Sequence, residues 1–292
     1  MTDNSSIGVV IVTYNSADII GSCLESLKGT SSRPINIVVV DNNSTDGTAD
    51  AVARIAPDAT LIRNRENLYY AAASNQGIRA AKGSHILLLN PDTIMPTGGP
   101  DAISTFLERH PDAAAIAPML VHPNGQRQSS LREFPALDTL WYDLLGLSFL
   151  FPRSRTFGRW RMGYFDGQVE RAIDQPMASC LMVRREVFDR VGVFDESYPM
   201  FFNDVDWCKR VKDAGLSIWY TPEVKVGHLG GATVKKYRAK MIWMSHAAYF
   251  LYLRRLYKTN PLKQTLTYLS APALMLAALL RSIWHSMISN SE

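Results

Sequence analysis

Two apolar strands with one amphipathic helix between them open the chain, and they limit its fold more than any other feature. Residues 8–15 form an apolar run without alternation, which is typical of a strand covered on both faces. Apolar residues at helical spacing predict a helix from Ser16 or Asp18 to about Leu27. A second buried strand is predicted at residues 35–40. Strand, helix and strand in this order indicate a βαβ unit with a right-handed crossover.

The alternation of strands and helices continues along the chain. We predict further helices at residues 48–55, 71–81, 98–110, 185–191 and 207–214, and further strands at residues 59–63, 86–89, 114–119, 177–184 and 218–220. This pattern predicts an α/β fold with a Rossmann-like mixed sheet flanked by helices. In such sheets, ligands bind beyond the carboxyl ends of the strands.

Polar residues follow the buried strands. The first strand ends in Thr13, Tyr14 and Asn15. Asp41 follows the second strand, and Asp92 follows the strand at residues 86–89. An acidic residue just past a buried strand suits a divalent cation that bridges the protein and phosphate oxygens.

A second acidic stretch lies at residues 201–208, where Asp204 and Asp206 stand between an aromatic pair and a predicted helix. Aspartates so close to apolar side chains are costly to bury unless they bind a cation, accept a proton or cap a helix. Asp204 is therefore a candidate general base. Asp206 is a candidate helix cap or substrate ligand. Two capping or solvated aspartates remain the alternative explanation of this stretch by itself.

Charge is distributed unevenly along the chain, whose net charge is +4. From Lys235 onward there are nine Lys or Arg residues and one acid, Glu292, so this tail carries about +8 and the rest about −4. A basic, apolar tail favours an anionic membrane surface over nucleic acid as a partner. A cationic helix that faces water is the alternative.

The tail is predicted to hold two helices, at residues 237–257 and 264–280. The second has 17 uncharged, mostly apolar residues interrupted by Pro272, which is short for a membrane span. We interpret it as a helix at the membrane interface, with a docked core helix as the alternative. Residues 120–175 interleave arginines with aromatic residues, which indicates either a mobile lid and acceptor surface or an irregular insertion.

The cysteines and the amino terminus bear on the compartment. Cys23, Cys180 and Cys208 are widely spaced without a CxxC pair, so neither a disulfide framework nor a zinc site is indicated. Residues 1–6 show no secretory signal. A reducing, cytoplasmic setting is expected.

Four motifs follow one another in a fixed order. They are Val-Val-Ile-Val-Thr-Tyr-Asn at residues 9–15, Val-Asp-Asn-Asn-Ser-Thr-Asp-Gly-Thr at 40–48, Leu-Asn-Pro-Asp-Thr at 89–93, and Asn-Asp-Val-Asp-Trp-Cys at 203–208 with a later histidine, His228. Over residues 7–233 the set closely resembles family 2 inverting glycosyltransferases of the GT-A fold, and among them rhamnosyltransferase-like enzymes. The resemblance implies a GT-A domain at residues 1–234 and a helical, membrane-associating extension at residues 235–292.

The resemblance also implies roles for single residues. The donor nucleotide would be bound by Thr13, Tyr14, Asn15, Asp41, Asn43, Asn75 and Asn90. Asp92 and His228 would bind Mg²⁺ or Mn²⁺, and Asp204 would be the catalytic base. Contacts to the acceptor or the diphosphate are expected from Arg127, Arg132, Asp206 and Trp207.

The chain departs from the family pattern at three places. Asn90 takes the first position of the family's DXD motif, which leaves the metal fewer charged ligands. Asn203 stands where the family usually has Glu, which puts in doubt the role of that Glu in orienting the base or the acceptor. Tyr69 and Tyr70 stand where Gly is usual, and they are expected to alter the donor-sugar pocket.

The function implied is metal-dependent, inverting transfer of a sugar, with rhamnose from dTDP-rhamnose as the best guess. The expected acceptor is a lipid-linked saccharide in bacterial polysaccharide or cell-wall assembly. The enzyme would contact the cytoplasmic face of the inner membrane peripherally, with self-association left open. One displacement needs a single carboxylate base, unlike the flanking pair of glycoside hydrolases.

Three other functions are alternatives to this one. A polyprenyl-phosphate sugar synthase is an alternative within the same class. A nucleotidyltransferase normally carries a Gly-rich phosphate loop after its first strand, and residues 13–16 do not form one. A non-catalytic carbohydrate-binding or scaffold protein is the third, and the retention of Asp92, Asp204 and His228 argues against it.

Overall fold

The computed structural model describes residues 6–230 and 237–289, with side chains as far as residue 287. Of the sequence features above, residues 1–5, Lys235, Lys236 and Glu292 lie outside these residues. The described residues fall into two compact units. Unit 1 is drawn from the ranges Met1–Leu131, Gly167–Pro199 and Asn203–Gly230, and unit 2 from Arg132–Asp166, Met200–Phe202 and Gly231–Glu292.

Within the described residues, nine strands of unit 1 form one mixed sheet. The strands are β1 (Ile7–Thr13), β2 (Ile35–Asp41), β3 (Thr60–Arg63), β4 (His85–Leu89), β5 (Thr93–Ile94), β6 (Ala113–Val121), β8 (Arg171–Ile173), β10 (Cys180–Arg184) and β11 (Ser217–His228). Their order is β3-β2-β1-β4-β10-β6-β11-β5, and β8 pairs with β11. Two further short strands, β7 (Leu131–Arg132) and β9 (Gln175–Pro176), lie outside this sheet.

The sheet combines parallel and antiparallel pairs. Strands β3, β2, β1 and β4 run parallel to one another, whereas β10 runs antiparallel to both of its neighbours. Strand β6 is parallel to β11, and β5 is antiparallel to it. The carboxyl ends of β1, β2 and β4 therefore lie at one edge of the sheet, as the sequence pattern predicts.

Helices cover the sheet of unit 1. They are α1 (Ile20–Leu27), α2 (Thr48–Ile55), α3 (Tyr69–Ala80), α4 (Gly99–Arg109), α7 (Arg185–Val191) and α8 (Asn203–Asp213). Val9, Val39 and Leu87 on the central strands are fully buried, which explains their apolar runs without alternation. A Cβ atom at Gly77 would lie 2.3 Å from Val10 Cγ1, so α3 approaches β1 closely because position 77 has no side chain.

Unit 2 contains residues 132–166, for which the sequence predicts no regular strands or helices, together with the two tail helices. Its helices are α5 (Leu137–Leu144), α6 (Leu147–Leu150), α9 (Arg238–Leu256) and α10 (Pro261–Ser289). Trp160 stacks on Tyr249 with ring centroids 5.5 Å apart, and the Tyr249 hydroxyl lies 3.2 Å from Thr139 Oγ1. Residues 132–166 thus pack on the tail helices in one unit, an association that the sequence does not predict.

Two of the differences from the predicted helix bounds bear on function. Helix α8 begins at Asn203 and not at Trp207, so Asp204 and Asp206 lie in its first turn, where acidic side chains interact favourably with the helix dipole. Helix α10 has 29 residues with Pro272 inside it, whereas 17 were predicted. Over residues 261–287 it is long and apolar enough to cross a membrane, judged by length and composition alone.

Candidate active site

The ends of β1 and β2 hold two buried polar atoms without a hydrogen-bond partner in the described structure. Thr13 and Asp41 are register partners on these neighbouring strands and are 1% and 3% exposed. Asp41 Oδ2 accepts a hydrogen bond from the Ser44 amide at 3.2 Å, but Asp41 Oδ1 and Thr13 Oγ1 have none among the described residues. Buried polar atoms of this kind are rare because they cost free energy. This edge is therefore a candidate site for a polar ligand.

The loops after β1 and β2 are joined by reciprocal hydrogen bonds. The Asn15 amide donates to Ser44 Oγ at 2.8 Å, and Asn15 Oδ1 accepts from the Thr45 amide at 2.9 Å. The Ser16 amide donates to Thr48 Oγ1 at 2.8 Å. The Asn15 side chain thus shapes the edge of the site. The other two residues predicted on these loops, Tyr14 and Asn43, are half-buried and exposed respectively.

The short strand β5 brings Asp92 and His228 together. Thr93 of β5 pairs with His228 of β11 in antiparallel register, and the preceding Asp92 then lies beside the imidazole. His228 Nε2 is 3.3 Å from Asp92 Oδ1, and both side chains are buried, at 5% and 7% exposure. Asp92 Oδ2 accepts a hydrogen bond from the Gly230 amide at 3.1 Å.

Gln128 determines which nitrogen of His228 carries the proton. The Gln128 amide nitrogen donates to the His228 carbonyl at 2.5 Å and lies 3.1 Å from His122 Nδ1. A carbonyl oxygen only accepts, so this orientation of the amide is fixed and its oxygen faces His228 Nδ1 at 2.7 Å. The proton of the neutral imidazole is therefore on Nδ1, which donates to Gln128.

This tautomer leaves two electron pairs facing each other. Nε2 of the neutral His228 carries a lone pair, makes no hydrogen bond within the described structure, and lies against an oxygen of the Asp92 carboxylate. Such a pair is unfavourable unless a proton or a metal cation lies between the two atoms. An imidazole nitrogen and a carboxylate oxygen are common ligands of divalent metals, and ligating histidines usually donate their second ring N–H to another group. These residues fit a metal ion.

A third acidic, histidine or cysteine ligand for such an ion is not found beside this pair among the described residues. No group of three or more His, Cys, Asp or Glu side chains that could hold a metal ion occurs in residues 6–230 and 237–289. The nearby Cys23 thiol lies 3.6 Å from Thr93 Oγ1, and burial raises its pKa to about 12. It therefore stays protonated at neutral pH and supplies no thiolate.

Gln175 holds the second acidic residue of the site, Asp204. Its amide nitrogen donates to Asp204 Oδ2 at 3.0 Å and to the Pro176 carbonyl at 2.7 Å. Asp204 Oδ1 accepts from the Val205 amide at 2.9 Å. The Asp204 carboxylate is half-buried, and the Gln175 and Val205 donors hold it in one orientation.

Residues 175–179 connect Asp204 to the strand end that carries Asp92. At one end of this segment Gln175 binds Asp204, and at the other Ser179 binds Asn90. The Asn90 amide donates to the Ser179 carbonyl at 2.9 Å, and Asn90 Nδ2 donates to Ser179 Oγ at 3.2 Å. Four residue steps span at most roughly 14 Å. The two predicted acidic residues therefore belong to one connected region of unit 1.

Two of the residues predicted to contact the acceptor or the diphosphate, Trp207 and Asp206, form hydrogen bonds with other residues of unit 1. Trp207 is fully buried and donates a hydrogen bond from Nε1 to the Gly192 carbonyl at 3.0 Å, so it packs in the core. Asp206 lies inside α8 and not at its cap, and its carboxylate accepts from Arg210 Nε at 2.9 Å. Both residues support α8 and its neighbouring loop.

The other two predicted contacts are arginines in different units. Arg127, in unit 1, lines a cleft of about 380 Å³ with Met119, Gly125, Gln168, Pro222, Glu223 and Lys225. These residues differ from those around Asp92 and Asp204. Arg132 belongs to unit 2, and its contact with an acceptor stays a prediction.

Asn75, which the sequence predicts to be a nucleotide ligand, forms hydrogen bonds within the protein. It is 0% exposed, and its side-chain amide group exchanges two hydrogen bonds with the Phe194 backbone, at 2.9 and 3.0 Å. A third hydrogen bond, at 2.9 Å, joins Nδ2 to Glu196 Oε1. The side chain thus holds the loop that precedes the acidic stretch.

We expect Asn75→Ala to lower the free energy of unfolding by about 2–4 kcal/mol, because it leaves a buried amide and a buried carbonyl without partners. Urea denaturation measures the loss. Arg79→Ala, at an exposed position of the same helix, is the matched control and should change stability by less than about 0.5 kcal/mol. An Asn75→Ala protein with normal stability and weakened nucleotide binding would support the predicted role of Asn75 as a nucleotide ligand.

Gln128 and Gln175 could not be predicted as functional residues from the sequence. A single glutamine carries no motif, and these two hold their partners across 100 and 29 residues of chain. Both occur in residues 120–175, where the regular pattern of strands and helices is lost.

The chain is similar to known proteins in sequence. The family model described as glycosyl transferase family 2 matches residues 8–192. An N-acetylglucosaminyl-diphospho-decaprenol L-rhamnosyltransferase of Mycobacterium tuberculosis is 30% identical over 259 residues, which cover 84% of this chain and 83% of that protein. The dTDP-rhamnosyl transferase RfbF of Shigella flexneri is 25% identical over 237 residues, which cover 80% of this chain and 72% of that protein.

The fold also matches solved structures. The crystal structure of Staphylococcus aureus TarS 1–349 in complex with UDP aligns with a TM-score of 0.53 and 16% identity. The alignment covers 83% of this chain and 65% of that one, so this chain spans about two thirds of the length of that structure. At this identity the likeness concerns the fold alone, and it agrees with the predicted GT-A architecture.

Proposed function

The chain belongs to glycosyl transferase family 2 and is a glycosyltransferase, and from this premise we propose a metal-dependent, inverting transfer of rhamnose to a lipid-linked saccharide. The observation that carries the proposal is the buried pair of Asp92 and His228, whose facing lone pairs suit a cation. This pair lies in the same connected region as Asp204. A cation site and a carboxylate base are the two parts that such a transfer requires.

The donor proposed is dTDP-rhamnose. In support, one relative is named a dTDP-rhamnosyl transferase and another an L-rhamnosyltransferase. Thr13 Oγ1 and Asp41 Oδ1 are buried polar atoms without partners in the described structure, and hydrogen bonds from a nucleotide would satisfy them. Asn15 would support this pocket by holding the loops after β1 and β2 together.

Mg²⁺ or Mn²⁺ would be held by Asp92 and His228, with Gln128 fixing the imidazole. When bound, such an ion offsets the negative charge that grows on a departing nucleoside diphosphate. Asn90, the first residue of the motif, binds Ser179 and would position Asp92 through the backbone. With only two protein ligands identified, we expect the affinity for the ion to rise when the diphosphate is present.

Asp204 would act as the general base. Its carboxylate would take the proton from an acceptor hydroxyl as that oxygen attacks the anomeric carbon from the face opposite the nucleotide. Gln175 would keep Asp204 Oδ2 in place through its 3.0 Å hydrogen bond. A single displacement of this kind inverts the anomeric centre and needs no covalent sugar–enzyme intermediate.

The acceptor proposed is a saccharide on a polyprenyl diphosphate, and the enzyme would work peripherally at the cytoplasmic face of the inner membrane in polysaccharide or cell-wall assembly. One relative is named for a diphospho-decaprenol acceptor. Helix α10 exposes large apolar side chains, among them Leu269, Met275 and Trp284, and residues 237–289 contain no Asp or Glu. Exposed apolar residues and basic charge together favour an anionic membrane surface.

A thermal-shift panel of nucleotide sugars with and without Mn²⁺ tests the proposal directly. A ligand that binds only the folded protein raises the melting temperature. We expect the largest rise with dTDP-rhamnose plus Mn²⁺ and a smaller one with either alone. Stabilisation by every nucleotide sugar without metal would contradict the metal-dependent donor site. An acceptor assay with bare polyprenyl phosphate against lipid-linked saccharide then separates the proposal from a polyprenyl-phosphate sugar synthase.

We expect Gln128→Leu to weaken Mn²⁺ binding by about 10–100-fold, the usual cost of losing a group that orients a metal ligand. Leucine is similar in size but cannot accept the hydrogen bond from His228 Nδ1. Free Mn²⁺ measured by electron paramagnetic resonance gives the affinity without reference to activity. Gln126→Leu, at an exposed position two residues away, is the control. Equal Mn²⁺ affinities of the two variants would show that Gln128 does not support metal binding.

A further inference from the structure

Unit 2 contains a cleft between α9 and α10 that plays no part in the chemistry above. It has a volume of about 680 Å³ and is lined by Arg238, Ile242, Leu280, Arg281, Ile283, Trp284, His285 and Met287. Its lining combines two guanidinium groups with large apolar side chains, of which Leu280, Trp284 and Met287 are exposed. A soluble anion gains nothing from apolar side chains, whereas an anion with an attached hydrocarbon can bury that hydrocarbon against them.

The two arginines of the cleft have no acidic partner among the described residues. Neither Arg238 nor Arg281 forms an ion pair with a carboxylate within residues 6–230 and 237–289, and residues 237–289 contain no Asp or Glu in their sequence. Arginine is well suited to phosphate because its planar guanidinium donates two parallel hydrogen bonds. The cleft is therefore electropositive and has an apolar lining.

His246 orients one of these arginines. Its Nδ1 donates to the Ile242 carbonyl at 2.7 Å, which leaves Nε2 to accept from Arg281 Nη1 at 3.5 Å. Burial, with the nearby Arg281 charge, holds the pKa of His246 below its usual range, so the ring is neutral and acts as an acceptor at neutral pH. The hydrogen bond to His246 therefore orients the Arg281 guanidinium, and the neutral ring leaves its positive charge uncompensated.

We propose that this cleft binds the phosphate headgroup of an anionic membrane lipid, with Arg238 and Arg281 on the phosphate and Trp284 and Met287 against the acyl region. The positive charge and the apolar walls complement these two parts of a lipid. The inference rests on the membrane contact proposed above and adds a specific lipid site to it. It does not depend on the sugar donor, the metal or the base.

Co-sedimentation of the full chain with vesicles tests the inference. The vesicles are phosphatidylcholine alone or phosphatidylcholine with phosphatidylglycerol, each at low and at 0.5 M salt, where long-range charge attraction is largely screened. The cleft variant is Arg238→Gln with Arg281→Gln. Its matched control is Arg254→Gln with Lys258→Gln, which removes two exposed positive charges from residues outside the cleft lining.

We expect the wild type and the control to keep a preference of about tenfold for phosphatidylglycerol at high salt, and the cleft variant to lose it. Glycerol phosphate in solution should not compete, since it lacks the hydrocarbon. Equal losses in the two variants, or competition by glycerol phosphate, would overturn the lipid site while leaving the membrane contact intact.

Two further outcomes also decide the question. Absence of binding to any vesicle would refute the membrane contact and the lipid site together. A dimer in light scattering that the cleft variant dissociates would assign the cleft to a second copy of the chain. Circular dichroism of both variants checks that each is folded.

Discussion

Replacing Asp204 with asparagine is expected to lower turnover by about 10²–10⁴-fold, the usual contribution of a general base. Asparagine keeps the size of the side chain and its hydrogen-bonding oxygen, but it cannot take a proton from the acceptor hydroxyl. The Gln175 amide still has an oxygen to which it can donate, so the local structure should persist. Donor binding, measured by calorimetry with the nucleotide sugar and Mn²⁺, should change little.

Asp206→Asn is the matched control for this experiment. It makes the same chemical change two residues away in the first turn of α8, where the carboxylate pairs with Arg210. A helical i,i+4 pair contributes only about 0.3–0.5 kcal/mol, so turnover should be nearly normal. If Asp204→Asn turns over like Asp206→Asn, another group is the base. If it loses donor binding as well, Asp204 belongs to the nucleotide pocket.

Replacing Asp92 with alanine is expected to weaken Mn²⁺-dependent donor binding by at least about 10–100-fold, since loss of a ligand should cost no less than loss of a group that orients one. The Gly230 amide also loses its acceptor, which would loosen the backbone beside His228. Titration of Mn²⁺ at constant nucleotide sugar, followed by melting temperature, measures the change. Chelation of the metal from the wild type should reproduce the behaviour of the variant.

The control for Asp92→Ala is Asp58→Ala, which removes an exposed acid elsewhere in unit 1. Its Mn²⁺ dependence should match that of the wild type. A wild-type protein that binds the donor equally well in the presence of a chelator would refute the metal site. If the Asp92→Ala protein keeps the full metal dependence, residues other than Asp92 bind the metal.

Local pattern made the framework of unit 1 predictable. The strands at β1, β2 and β4 are buried on both faces, so their apolar runs are continuous and their ends are marked by polar residues. Asp41 and Asp92 could be selected because they follow such runs directly. The start of α8 is not determined by local pattern, because several acidic or amide side chains in succession can each begin a helix.

The partners of residues in contacts between distant parts of the chain could not be predicted from the sequence. His228 Nδ1 is bound by a glutamine 100 residues away, and the buried position of Asn75 depends on a loop 119 residues further along. Neither contact leaves a periodic trace in the sequence. Packing of residues 132–166 with the tail helices is of the same kind, since aromatic side chains indicate burial without identifying the partner.

Pro272 would limit the depth of α10 in a bilayer if this helix contacts the proposed membrane. Proline has no amide hydrogen, so the carbonyl of Tyr268, four residues earlier, lacks its usual helical donor. In hydrocarbon an unsatisfied carbonyl costs several kcal/mol, whereas near the headgroups water can satisfy it. The segments before and after the proline are roughly 16 Å and 25 Å long at 1.5 Å per residue, each less than the roughly 30 Å hydrocarbon thickness. If α10 enters the membrane, insertion limited to the headgroup boundary of the cytoplasmic leaflet would therefore keep this carbonyl hydrated.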